Sequence, residues 1–141
     1  MENREFLTGL WYHAMLSRDL PAGKSVQRVI MGQPIAIART ADGEVFALRD
    51  LCPHRGAPLS AGRLFGKGEV LDGEALASHQ LECPYHGWRF GADGKCAAIA
   101  CLSKTQADAP IDKIAVRTYA VRERQGFIWV FAFGAAAGWA G

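Results

Sequence analysis

The 141-residue sequence predicts an all-β domain, an antiparallel sandwich or barrel. Three observations carry this. Short β-leaning runs recur along the chain, turns containing Gly separate them, and no long stretch combines a helical apolar period with helix-end signals. No internal repeat or low-complexity segment appears. One domain over residues 1–141 is expected, long enough to enclose a core.

The elements follow in order. Ser25 to Ile30 is a short β-leaning run. Ile35-Ala-Ile-Ala-Arg39 and Glu44-Val-Phe-Ala-Leu48 flank Thr-Ala-Asp-Gly, which predicts a hairpin with Gly43 at positive φ. A second hairpin is predicted from Arg89-Phe90 through Gly-Ala-Asp-Gly94 into Lys95 to Ile99. Ile114 to Val121 reads as a strand, and Arg-Glu-Arg-Gln-Gly126 as the turn into Phe127 to Phe133. That last run is apolar at alternate and intervening positions alike, which predicts a central strand rather than an edge. Glu69 to Ser78 is the best helical candidate, and Asp72-Gly73 interrupts it.

Composition narrows the function classes. Half the residues are hydrophobic and 21% are charged, as in ordinary globular proteins. The net charge of +2 comes from 16 basic and 14 acidic residues, without a dense basic run, so no nucleic-acid or membrane partner is expected. The start, Met-Glu-Asn-Arg-Glu-Phe, lacks the apolar stretch of a secretory signal, and Phe127 to Gly141 is shorter than the ~20 residues of a spanning helix. A cytoplasmic location is expected. A reducing cytosol argues against a disulfide between Cys96 and Cys101, which read as two small thiols near a strand.

The chemistry lies in Cys52-Pro-His54 and Cys83-Pro-Tyr-His86. Each pair offers one thiolate and one imidazole on a tight loop. Together they supply two sulfurs and two ring nitrogens, the ligand set of a Rieske [2Fe–2S] centre, in which two cysteines hold one iron and two histidines the other. Cys52, His54, Cys83 and His86 are therefore the expected cofactor and metal ligands. A structural zinc site uses the same four residues, but zinc fingers usually pair like with like, whereas each loop here mixes Cys and His.

The flanks extend this reading. Cys52-Pro-His-Arg-Gly-Ala-Pro-Leu-Ser60 and Cys83-Pro-Tyr-His-Gly-Trp-Arg-Phe90 resemble the cluster loops of the Rieske non-haem iron oxygenases, in the N-terminal domain of the large subunit. Trp11-Tyr12, Gly32-Gln-Pro-Ile-Ala-Ile-Ala-Arg39 and Asp93-Gly-Lys-Cys96 are similar too, and the resemblance covers roughly residues 10 to 133. It implies the Rieske fold, with cluster loops over about residues 50–92 forming a small subdomain. Residues 65–77 lengthen the spacing between the loops and read as an insertion, a solvated loop with partner docking as the alternative role.

Pro53 and Pro84 stiffen the loops, and Gly56 and Gly87 permit close backbone approach. At the positions where high-potential relatives carry a disulfide clamp, this chain has Ala57 and Tyr85. Trp88 stands where that class has a serine donating to a sulfide. These differences imply a potential at the low end of the Rieske range, about −150 mV. Outward nitrogens on His54 and His86 would lower the midpoint as the pH turns alkaline. Trp88 reads as packing. Arg55 and Arg89 are solvated or locally bridged, with partner docking as the alternative.

The histidine count limits the function. An oxygenase also needs a mononuclear iron held by two histidines and a carboxylate. Of four histidines, only His13 and His79 remain, in no matching pattern. The expected role is one-electron transfer from an NAD(P)H-dependent reductase or ferredoxin to the iron of an oxygenase catalytic domain, in a family that often forms trimers. A stand-alone Rieske ferredoxin is the alternative, and a zinc-stabilised binding module the remote one. As an oxidoreductase component, the chain is not expected to catalyse oxygenation alone. The substrate is not legible, because its pocket belongs to that other domain.

Overall fold

A computed structural model describes residues 10–52, 57–71, 73–76, 78–84, 88–98 and 114–132. The described residues form strands, turns and two short 3-10 segments, with no α-helix among them. The all-β expectation holds.

The central layer is an antiparallel four-stranded sheet. It contains β2 (Lys24–Ile30), β3 (Gln33–Arg39), β4 (Val45–Arg49) and β11 (Thr118–Tyr119), in the order β11-β4-β3-β2. β3 and β4 form the first expected hairpin, with Arg39 paired to Val45 and Gly43 at φ 99°. Thr40 closes its turn, its carbonyl accepting the Gly43 N–H and its hydroxyl accepting the Glu44 N–H.

Side-chain size along β3 decides how the layers stack. Ile35 and Ile37 point into one apolar cluster, Ala36 and Ala38 into another, and all four are buried. On the isoleucine face lies the sheet β1 (Leu10–Leu16), β13 (Phe127–Ala132) and β12 (Val121–Arg124), in the order β1-β13-β12, contributing Met15, Ile128 and Val130. On the alanine face lies the sheet β10-β9-β8-β5, comprising β5 (Leu64–Phe65), β8 (Gln80–Glu82), β9 (Arg89–Gly91) and β10 (Cys96–Ala98). Alanines on that face leave room for Leu59, Leu81, Phe90 and the two loop cysteines.

β13 is central in its sheet, as expected, although Phe133 lies outside the described residues. Its Ile128 and Val130 enter the core, while Phe127, Trp129 and Phe131 meet Trp11 and His13 edge-on across the opposite face. β1, which supplies Trp11 and His13, is a strand that the sequence pattern does not single out.

Three expectations need correction. The turn before β13 is not the five-residue Arg122–Gly126 segment. Residues 121–124 pair with β13 as an edge strand, and only Gln125 (φ 56°) and Gly126 (φ 83°) turn. Two consecutive left-handed residues match the twist of the flanking strands, so the charged residues stay in register on the edge. The helical candidate is also overturned, because Val70–Leu71 (β6) pairs with Glu74–Ala75 (β7) in a small hairpin. Gly73 at φ 83° turns that chain, and Val70 is 65% exposed, so it does not anchor a helix against the core.

The second expected hairpin is present as β9 and β10, with Gly94 at φ 82° and Cys96 opposite Phe90. A Cβ at Gly94 would lie 2.3 Å from the Val116 carbonyl oxygen, so close approach as well as φ requires glycine there. The predicted Ile114–Val121 strand is broken up: Ala115 makes an isolated bridge with Lys95, and Thr118–Tyr119 pairs with β4.

Candidate iron–sulfur site

Two cysteine loops meet on the alanine face of the central sheet. Cys52 follows β4, where the chain leaves the central sheet for the 3-10 turn Leu59–Ala61. Cys83 follows β8 directly, in the connection to β9. The loops close alike. The Cys52 N–H donates to the Ala57 carbonyl at 2.8 Å, and the Cys83 N–H donates to the Trp88 carbonyl at 2.6 Å. In each case the bond spans five residues and fixes the cysteine at the loop's entry.

Both cysteines are 1% exposed and belong to one apolar cluster with Ala57, Leu59, Leu81 and Phe90. Cys52, Cys83 and Cys96 are thiols rather than disulfides. The structure therefore brings together the two expected sulfur donors. His54 and His86, the expected nitrogen donors, lie outside the described residues, as do Pro53, Arg55, Gly56, Tyr85 and Gly87. Two buried thiols on matched, amide-closed loops fit a cluster that takes two cysteine sulfurs and benefits from a dry setting.

The segment between the loops braces the second one. Gly62 packs so tightly that a Cβ there would fall 1.5 Å from the Glu82 carbonyl oxygen. The Glu82 N–H donates to the Arg63 carbonyl at 2.8 Å, and Arg63 Nε donates to Glu82 Oε1 at 3.1 Å. Arg89 is locally bridged, donating to Gln80 Oε1 at 2.9 Å. Trp88 is partly buried against the cysteine cluster, as the packing reading expects. Cys96 lies buried in β10, while Cys101 lies outside the described residues.

The two remaining histidines are engaged elsewhere. His13 packs edge-on between Phe127 and Trp129. His79 Nδ1 accepts the Lys67 N–H at 2.9 Å, which places the proton of the neutral ring on Nε2. That nitrogen faces Glu44 at 3.7 Å and Asp42 at 4.0 Å. A histidine beside two carboxylates resembles a cation site by residue type, but its ring lone pair is already used by the amide. Thr40 donates to Asp42, and this bond with the nearby His79 holds the Asp42 carboxyl below its ordinary range.

Comparisons with known proteins agree with this architecture. The Rieske [2Fe-2S] domain family matches residues 10–120. The oxygenase component of dicamba O-demethylase from Stenotrophomonas maltophilia is 36% identical, over 89% of this chain and 32% of its own length. Chloroplastic chlorophyllide a oxygenase from Chlamydomonas reinhardtii is 34% identical, over 93% of this chain and 18% of its own. A crystal structure of dicamba monooxygenase bound to dicamba superposes with a TM-score of 0.70 at 35% identity, covering 92% of this chain and 34% of that one. The matched family makes this all-β domain with its two cysteine loops an iron–sulfur domain. The chain belongs to the Rieske [2Fe-2S] family, and its cofactor is a Rieske-type [2Fe–2S] cluster. It spans about a third or less of the length of these relatives.

Proposed function

We propose that Cys52, His54, Cys83 and His86 hold the cluster and that the domain serves an oxygenase system as its one-electron relay. The observation that carries this is the pair of matched loops, each with a buried cysteine closed by its own amide onto the residue five positions on. When bound, the cluster takes up and releases one electron. The chain's own residues hold the two sulfurs in an apolar setting, with Leu59, Leu81 and Phe90 packed around them. The donor would be a reductase or ferredoxin, and the acceptor a mononuclear iron in an oxygenase catalytic domain, within the same polypeptide or a neighbouring subunit of a trimer.

What His13 and His79 do supports assigning that second iron elsewhere. One is packed among aromatic rings, and the other has its lone pair on a backbone amide. Among the described residues no helix is long and apolar enough to cross a membrane. A reducing compartment suits buried thiols, and the cytoplasm is the proposed location. Iron and acid-labile sulfide analysis, with the electron paramagnetic resonance spectrum of the reduced protein, tests the reading. Two irons, two sulfides and a Rieske-type signal are expected. One zinc without sulfide would replace the relay with a zinc-stabilised module.

A further inference from the structure

The first cysteine loop rests on a side chain outside the ligand set. Asp50 lies two residues before Cys52 and is fully buried. Its Oδ1 accepts the Ser60 N–H at 2.7 Å, and its Oδ2 accepts the Ser60 hydroxyl at 2.5 Å and the Gln27 side-chain amide at 2.8 Å. The Asp50 N–H donates to the Pro34 carbonyl of β3 at 2.9 Å. Ser60 sits just past Ala57, whose carbonyl accepts the Cys52 N–H, and its own carbonyl accepts Ser25 Oγ of β2 at 3.1 Å. One carboxylate thus ties the loop's entry to its exit and both to the central sheet.

The contacts also constrain the charge. Among the described residues, all three side-chain contacts are donors, the pattern that a carboxylate's acceptor oxygens satisfy. The three donors among the described residues are neutral, so they solvate the charge without cancelling it. A fixed anion in a low-dielectric interior acts over several ångströms, and it opposes placing another electron nearby.

We propose that Asp50 is a positioning residue for the cluster: it fixes the shape of the first cysteine loop, and its charge makes the cluster harder to reduce. This rests on the reading that Cys52 is a ligand.

The test is a redox titration of the iron-loaded chain, with iron and sulfide measured in parallel, for the wild type, Asp50→Asn and Gln27→Lys. The first variant deletes the charge. The second, at an exposed position of β2, leaves Asp50 and its Ser60 bonds in place and sets an ammonium against the carboxylate. Both are expected to raise the cluster's electron affinity. For Asp50→Asn the rise is about tenfold, or about 59 mV for a one-electron couple, and for Gln27→Lys it is smaller. A loop that was merely loosened would not respond to Gln27→Lys, which keeps every Ser60 contact. Unchanged midpoints at full cluster content would overturn the proposal. If Asp50→Asn takes up no cluster, Gln27→Lys decides by the same criterion. A wild-type chain without iron and sulfide overturns the ligand assignment and this proposal together, so the two failures are distinguishable.

Discussion

The two cysteine loops share one closing bond and differ in what stands behind it. The second loop continues a sheet. Glu82 pairs with Arg89 across its base, the Glu82 amide also reaches Arg63, and Gly62 lies against the Glu82 carbonyl. Its support is backbone pairing spread over several residues. The first loop instead crosses from one sheet to another, so no ladder closes it. Its support converges on Asp50. Where a connection leaves a sheet, buried polar side chains must satisfy what strand pairing otherwise would. The first loop should therefore be sensitive to side-chain chemistry, and the second to steric fit of the backbone.

Breaking both loops equally gives the largest expected effect. Cys52→Ser and Cys83→Ser should each reduce iron and sulfide content to near zero, because both sulfurs serve one iron under the proposed ligand set. Retention of the full cluster in either variant would break the equivalence of the loops.

Steric fit comes next. Gly62→Ala places a methyl group on the Glu82 carbonyl, backbone against backbone, with no rotamer to relieve it. A loss of about 3 kcal/mol in denaturant unfolding is expected. A loss below about 1 kcal/mol would show that the second loop yields easily and is less rigidly braced than the first.

Side-chain chemistry at the first loop follows. Ser60→Ala removes one of three donors to a buried carboxylate and should cost about 2 kcal/mol by the same measurement. An effect near zero would mean that the loop does not depend on the Asp50 clamp for its stability.

The smallest effect belongs to a clamp remote from both loops. Arg39 of β3 donates to Glu123 of β12 at 2.6 Å and to the Leu20 carbonyl at 2.7 Å. The Arg39 bond holds the Glu123 carboxyl below its ordinary value of 4.5. A depressed carboxyl stabilises the fold above that value, and its contribution is lost as the pH falls through the lower folded value. Glu123→Gln should therefore cost under about 1 kcal/mol at neutral pH, since the pair is screened by solvent, and nothing at strongly acidic pH. A pH-independent difference would indicate packing rather than charge, and a shifted cluster midpoint would show that the two layers are coupled.

Much of the site was legible because its chemistry is local. Cys-Pro-His and Cys-Pro-Tyr-His place residue types that can bind iron within two or three positions of each other, and the structure brings both cysteines into one buried cluster. Gly43 and Gly94 announced their hairpins because an Asp-Gly pair at a turn needs a residue tolerant of positive φ. Gln125 could not announce its turn, since a non-glycine residue at positive φ carries no compositional mark. The hairpin of β6 and β7 passed for a helix because Glu, Leu and Ala favour one intrinsically. Asp50 carried no signal either, because an acid two residues before a cysteine reads as a surface residue until its burial is known.

By itself, the sequence determined the all-β class and the two cysteine loops. These depend on residue type and short spacing, which the chain carries with it. The tertiary structure alone decided that isoleucines and alanines of β3 face different layers, that Gly62 braces the second loop, and that Asp50 anchors the first. Each depends on contacts between residues far apart in the chain, and those exist only once the layers have packed.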